Sequence, residues 1–292
     1  MCYIHFIVNP ISGKGKHQIT TSYIKNFFPV DEYIIQVDYT EYKNHATELT
    51  KIAIEANPDI IVACGGDGTI NEVASCLIGT NITLGIVPVG SGNGLASNLQ
   101  IPRELTKALH IIKTGNTTAI DVGKINDQYF FSNTGIGIDA AIIKNYEYSG
   151  KRTLISYIKS TLKASLEFKP SKTLISLPNR LIADLPFMLF ISNSNEMGYG
   201  MSLTPKASLT DGLLDLVIIP QLSFREKIVL GLYVLQNKIK KFKKAQHFLT
   251  DKLHLELPDK IFPDVQIDGE YHKFKTIRLD ISVLPNALKV II

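Results

Sequence analysis

Three glycine-rich segments, each directly after a short apolar run, constrain this chain more than any other feature. The first is Asn9-Pro10-Ile11-Ser12-Gly13-Lys14-Gly15-Lys16, which follows the apolar residues 3–8. The second is Gly65-Gly66-Asp67-Gly68-Thr69, after residues 59–64. The third is Pro88-Val89-Gly90-Ser91-Gly92-Asn93-Gly94, after residues 83–87. The apolar runs read as strands, with a further strand at 32–37. Helical patterns follow at 15–28, 44–56, 70–78 and 102–113, the last with Pro102 in its first turn. Strands alternating with helices over residues 1–115 predict βαβ units and a mainly parallel sheet. The glycine segments then lie at the carboxyl edge of that sheet, where open α/β folds bind ligands.

Glycine at these positions has a mechanism. It reaches φ > 0 and carries no Cβ, so successive backbone N–H groups can converge on an anion. The N-terminus of the following helix adds partial positive charge. Three such loops can wrap a polyphosphate, with Lys14 and Lys16 adding charge. The Asn-Pro-x-Ser-Gly element alone is equally a tight turn, and it lacks the Gly-Lys-Ser/Thr spacing of a Walker A loop. The Gly-Gly-Asp-Gly-Thr element carries more information. Asp67 reads there as an N-cap of the next helix as well as a functional carboxylate. A cap accounts for one Asp but not for the three glycines around it.

Beyond residue 116 the pattern changes. Strand-like runs follow one another at 118–125, 128–133, 173–177, 181–184, 187–192, 213–219, 252–257, 265–268 and 275–282. Helical patterns interrupt them only at 152–168 and 224–244. This half reads as β-rich and mostly antiparallel, a sandwich or barrel. The expected division is an α/β domain at 1–120 and a β domain at 121–284.

Composition narrows the classes. The chain has 292 residues, 45% of them hydrophobic and 20% charged, with a net charge of +4. Such a chain is not expected to be disordered. The longest fully apolar stretch, 228–235, is far below the ~18 residues of a spanning helix. A charge of +4 does not point to nucleic acid as a partner. Cys2, Cys64 and Cys76 show no pairing pattern, and the N-terminus has no signal-peptide features, so a cytoplasmic protein is expected.

The glycine elements, in order and spacing, resemble the diacylglycerol kinase and sphingosine kinase family of lipid kinases. The second element runs on into Ile70-Asn71-Glu72-Val73, as it does there. Later segments are similar too: Asn133-Thr134-Gly135-Ile136-Gly137-Ile138-Asp139, Asp211-Gly212-Leu213-Leu214-Asp215 and Asp268-Gly269-Glu270. Gly-Gly-Asp-Gly-Thr by itself is shared with NAD kinases and phosphofructokinases. The resemblance implies an α/β nucleotide-binding domain, completed by residues 285–292, and a β-sandwich domain for the lipid. It implies transfer of the γ-phosphoryl group of ATP to a lipid hydroxyl, with Mg²⁺.

By that resemblance Asn9, Ser12, Gly13, Lys14, Gly65, Gly66, Asp67, Gly68, Thr69, Asn71, Gly90, Ser91, Gly92 and Asn93 hold the nucleotide. Thr40, in the Thr40…His45-Ala46 segment, joins them; its other reading is a solvated strand end. Asp67 organises phosphates or catalytic Mg²⁺. Glu270 is the general base, although Asp268-Gly269 is also an ordinary hairpin turn with Glu270 a solvated strand residue after it. Asp211, with Ser208 and Leu213, binds a structural Mg²⁺, or else Asp211-Gly212 simply turns the chain. One departure stands out: Gly94 occupies a position where many bacterial members carry Asp.

A lipid kinase meets its substrate at a membrane surface. Phe224, Ile228, Leu232, Leu235, Ile239 and Phe242 recur at helical spacing and lead into Lys238, Lys240, Lys241, Lys243 and Lys244. Arg152, Lys159 and Lys163 with Leu154, Ile158 and Leu162 form a second basic amphipathic stretch. Either is a peripheral membrane contact or a core-packed helix with a solvated end. Two rival readings are a soluble-substrate kinase of the NAD kinase type and a non-catalytic lipid- or nucleotide-binding regulator. The acceptor lipid and the oligomeric state, a homodimer included, stay open.

Overall fold

The computed structural model describes residues 1–15, 17, 19–150, 153–196, 201–259 and 263–292. Lys16, Arg152 and the side chains of Lys14 and Leu154 lie outside the described residues. The fold is mixed α/β, a parallel-sheet part followed by an antiparallel β-sandwich. The chain divides into two compact units, residues 1–120 with 286–292, and residues 121–285.

The first unit holds β1 (Cys2–Val8), α1 (Thr21–Phe27), β2 (Tyr33–Tyr39), α2 (His45–Glu55), β3 (Ile60–Gly65), α3 (Asp67–Leu77), β4 (Thr83–Pro88), α4 (Gly94–Asn98) and α5 (Leu105–Thr114). Its parallel strands are ordered β2-β1-β3-β4. The chain leaves β1 toward one side of the sheet and later adds β3 on the other. The segments after β1 and β3 therefore flank a topological switch point, the place where such sheets take ligands. Strand β4 is buried along its whole length and β3 along nearly all of it, which is why both read as continuous apolar runs. Residues 286–292 complete this unit: Val290 pairs in parallel with Leu84, and the Ile292 N–H donates to the Asn116 carbonyl.

The chain crosses into the second unit along β5 (Thr117–Ile125). There follow β6 (Gln128–Phe130), β7 (Asn133–Gly137), α6 (Ile138–Tyr148), α7 (Leu154–Glu167), β8 (Thr173–Leu177), β9 (Arg180–Asp184), β10 (Pro186–Ser192), β11 (Leu214–Pro220) and α8 (Phe224–Leu235). The last strands are β12 (Gln246–Thr250), β13 (Lys252–Glu256), β14 (Asp264–Ile267), β15 (Glu270–Lys273) and β16 (Arg278–Ile291). An antiparallel sheet ordered β12-β11-β10-β7-β14-β15 faces a second layer built from β8, β9, β13 and the first part of β16. Alternate residues sort to the two faces of the first sheet. Leu189, Ile191, Leu216 and Ile218 enter the core between the sheets, with Leu253, Leu255 and Leu279 from the other layer. Phe187, Phe190, Val217 and Ile219 point the other way, toward α6 and α8. An antiparallel sheet buried on both faces accounts for the unbroken apolar texture of β10.

Several elements differ from the sequence expectation, α6 among them, which was not expected at all. The helix expected from residue 15 begins at Thr21, because the Thr20 hydroxyl caps it by accepting from the Tyr23 N–H. The helix expected from Pro102 begins at Leu105. Helix α8 ends at Leu235, where Asn237 turns into the left-handed region (φ 54°). Its apparent six-residue stripe is thereby broken: Phe224, Ile228, Leu232 and Leu235 are exposed, while Ile239 and Phe242 are buried beyond the helix end. The lysine cluster thus lies in the segment after the helix, not on it. Finally, β16 runs on past Pro285 to Ile291. Among the described residues no helix is long and apolar enough to cross a membrane.

Candidate active site

The three glycine loops of the first unit interlock, and Asp67 ties two of them together. It begins α3 and stands half-buried. Its Oδ2 accepts from the Asn93 N–H (2.7 Å) and its Oδ1 from the Gly94 N–H (2.7 Å). Burial pushes the carboxyl above its ordinary value, while those amides and the Arg103 charge pull the other way. Asp67 is therefore committed by both oxygens to the third loop. Asn93 closes that loop on itself in a left-handed conformation (φ 59°). Its side-chain oxygen accepts from the Gly90 N–H and its amide donates to the Gly90 carbonyl.

Close approach explains the glycines. A Cβ on Gly90 would strike the Gly66 backbone, and one on Gly13 would strike the Val89 carbonyl. Each loop can approach its neighbour only because side chains are missing there. The first loop is joined to the second by Asn9, whose amide donates to the Thr69 hydroxyl (3.0 Å) and whose backbone N–H donates to the Cys64 carbonyl. Ser12 and Gly13 form a short 3₁₀ turn beside it, and Gly65 is packed against the Thr69 side chain. Gly68 and Asn71 lie on the first turns of α3. Ser91 is the exposed tip of the third loop, next to Gly92. Thr40 is buried, with its N–H donating to the Val8 carbonyl, so the solvated strand-end reading does not hold. The segment after it is fixed by Glu72, whose carboxylate accepts from the Ala46 N–H at the start of α2.

Two contributors escaped the sequence reading. Arg103 donates to the Gly92 carbonyl (2.7 Å), and His17 bonds the Asn9 carbonyl (2.9 Å). Neither sits in a motif. Only Gly94, as an unexplained departure, hinted at what the third loop does: its N–H is one of the two Asp67 partners.

In the second unit Glu270 opens β15, directly after a hairpin turn in which Asp268 (φ 45°) and Gly269 (φ 79°) are both left-handed. The hairpin reading and the base reading of this segment are thus compatible. The Asp268 carboxylate accepts from the N–H groups of Phe131, Ser132 and Asn133, all within 3.0 Å. On the other side of Glu270, the Tyr271 N–H donates to Glu147 (2.8 Å). The residue is held from both sides by fixed backbone.

Behind this hairpin lies a buried carboxyl, Asp139. Gly135, opposite Gln266 in the β7–β14 pairing, leaves a slot that Asp139 fills. Gln266 bonds it, donates to Asn133 Oδ1 (2.7 Å) and accepts from the Gly269 N–H (2.9 Å). Asp139 Oδ2 has no hydrogen-bond partner among the described residues. Burial pushes the Asp139 carboxyl up to about 6, with Gln266 opposing.

Asp211 lies in the exposed turn before β11 and accepts from the Leu213 N–H (3.0 Å). The buried Asp121 reaches the same turn, accepting from the Gly212 N–H (2.7 Å), and the Ser208 hydroxyl accepts from the Thr210 N–H. No group of three His, Cys, Asp or Glu able to hold a metal occurs among the described residues. Two carboxylates accepting from consecutive amides of one turn are a donor chemistry that suits a hard cation keeping several waters.

A parallel sheet with glycine loops at its switch point, followed by a β-sandwich, defines a two-part α/β class. Residues 3–125 match the family model for the diacylglycerol kinase catalytic domain. Residues 132–292 match the YegS C-terminal NAD kinase beta sandwich-like domain. The chain belongs to the diacylglycerol kinase and YegS-like lipid kinase family. It is 28% identical over 270 residues to a diacylglycerol kinase of Bacillus subtilis (strain 168), covering 91% of this chain and 88% of that one. It is also 28% identical over 284 residues to a "Probable lipid kinase YegS-like" of Klebsiella pneumoniae (strain 342), covering 96% and 93%. A solved structure of a diacylglycerol kinase from Bacillus anthracis strain Sterne shares the fold. Its TM-score is 0.71 at 19% identity, covering 99% of this chain and 96% of that chain.

Two outcomes follow from this geometry. Asp67→Asn sets an NH₂ against one of two inward N–H groups, so urea unfolding will show a stability loss of about 1–3 kcal/mol. For Asp139 the folded state binds a proton more readily than the unfolded one between its ordinary value, 3.8, and about 6. Its contribution is therefore favourable at low pH and is lost as pH rises through about 6. Asp139→Asn will remove that slope, on the order of 2–3 kcal/mol, from unfolding free energies compared across this range.

Proposed function

We propose that this chain is a lipid kinase that transfers the γ-phosphoryl group of ATP to a lipid hydroxyl such as that of diacylglycerol or a sphingoid base. The observation that carries the reading is the Asp67-tied cradle of glycine loops at the switch point of the parallel sheet. Family membership and the fixed position of Glu270 support it.

Asn9, Ser12, Gly13, Lys14, Thr40, Gly65, Gly66, Gly68, Thr69, Asn71, Gly90, Ser91, Gly92 and Asn93 hold the nucleotide. The loops suit it because their close backbone approach leaves N–H groups rather than side chains facing a polyphosphate. Asp67 is a positioning residue: with both oxygens bonded to the third loop, it keeps that loop in its binding shape. ATP with Mg²⁺ supplies the phosphoryl group and neutralises its charge; the protein's part is positioning. Glu270 accepts the proton of the attacking hydroxyl, and Asp268 holds the hairpin that presents it. Asp211, with Asp121 and the carbonyls at Ser208 and Leu213, binds a structural Mg²⁺ that stiffens the turn before β11.

A dinucleotide acceptor is the nearest rival, because the matching second domain is itself described as NAD kinase beta sandwich-like. The β-rich half therefore does not separate the two. The Asp268-Gly269-Glu270 element and the names of the curated relatives favour lipid.

Labelled ATP with Mg²⁺ will yield phosphorylated lipid from diacylglycerol or total lipid extract, and none from NAD⁺. Label in NAD⁺ alone overturns the reading. Glu270→Gln will lower kcat by about 10²–10⁴-fold with little change in the KM for ATP. Mg²⁺ will raise the thermal midpoint of the parent, and Asp211→Ala will abolish that rise.

A further inference from the structure

Residues 131–133, which lead into β7, have every backbone group engaged. Their N–H groups donate to the Asp268 carboxylate. The Asn133 carbonyl accepts from the Asp268 N–H (2.9 Å). The Ser132 carbonyl accepts from the N–H groups of Asn193 (2.9 Å) and Ser194 (3.0 Å). The Phe131 carbonyl accepts from the side-chain NH₂ of Asn193 (3.2 Å).

Asn193 is the member of this set that calls for an explanation. It directly follows β10 and is fully buried. The same NH₂ group also donates to the Asp121 carbonyl in β5 (2.7 Å). Its Oδ1 has no hydrogen-bond partner among the described residues. Burying an unpaired amide oxygen costs stability. The reverse orientation would set that oxygen against two carbonyls, so the acceptors fix which way the amide points. The residue is therefore retained for its two N–H groups. An apolar side chain of the same size offers neither, and a serine offers one donor.

The tie made by those two groups reaches the proposed base. Asp121 is itself fixed, since its N–H donates to the Leu209 carbonyl (2.7 Å). Asn193 pins Phe131 to that point, residues 131–133 carry Asp268, and Glu270 stands two residues beyond Asp268. A general base works only within hydrogen-bond reach of the proton it takes, so a small displacement of its carboxylate is costly.

We propose that Asn193 is a positioning residue for Glu270: its buried amide anchors residues 131–133, from which Asp268 suspends the hairpin that carries Glu270. This rests on the reading of Glu270 as the base of a lipid kinase. It extends that site to a residue with no exposed surface.

A cycle of variants with Asn193→Ala and Glu270→Gln tests it. Asn193→Ala will lower kcat on the order of 10- to 100-fold, with the KM for ATP within about twofold of the parent's. In the Glu270→Gln background the same change will lower kcat no further, because no base is left to misplace. Asn193→Ser, which keeps one donor, will fall between the parent and Asn193→Ala, and it carries the same cycle should the alanine variant not fold. Hydrogen exchange at residues 131–133 and 268–270 will quicken in Asn193→Ala, while that of β1, β3 and β4 will not. An equal fold-loss of kcat in both backgrounds makes Asn193 merely structural and overturns the proposal. So does an unchanged kcat, or unchanged exchange at residues 131–133. A parent that phosphorylates no lipid, with residues 131–133 and 268–270 loosening together in Asn193→Ala, supports the anchoring of the hairpin and overturns the kinase reading alone.

Discussion

The paired hydrogen bonds from the Asn93 and Gly94 amides to the Asp67 carboxylate are the constraint on which the glycine-loop edge of the parallel sheet depends. They join the loop after β3 to the loop after β4. The Gly66–Gly90 approach brings the same two backbones together, and Gly13 sets the first loop against Val89. Glycine lets the loops come close, but only a carboxylate with two amide donors fixes where they stop. The carboxylate of the Gly-Gly-Asp-Gly-Thr element therefore sets the geometry of the loops beside it.

The second unit solves a similar problem with a similar device. Asp268 receives three consecutive N–H groups from residues 131–133, and so anchors a hairpin whose next residue is Glu270. Both carboxylates act on backbone amides of a distant segment. Each converts a flexible turn into a fixed platform for the residues beside it. Asp139 shows the opposite balance: one oxygen lacks a partner among the described residues, and burial dominates its titration.

Much of the fold was legible because it rests on local pattern. The apolar runs of β1, β3 and β4 and the glycines after them are contiguous in sequence, and so is Asp268-Gly269. What escaped depends on contacts between distant residues. Arg103 matters through the Gly92 carbonyl, and Thr40 is buried by what covers it rather than by its neighbours in sequence. Helix α6 was not expected from the sequence, and Gly135 and Gly137 before it let Asp139 and the Phe187 backbone come close. Helix α8 was drawn too long because Ile239 and Phe242 continue its period while belonging to a separate buried turn. Pro285 hid the full length of β16, since a proline inside an apolar run reads as a strand end.

That long strand has a consequence for how the molecule is made. Its earlier residues pair with β13 and its last ones with β4. Residues 121–285 can therefore complete their own core while the first unit still lacks an edge. Domains usually finish in the order in which they leave the ribosome. Here the first unit is discontinuous in sequence, and it needs residues 286–292 for the buried Leu288, Val290 and Ile291.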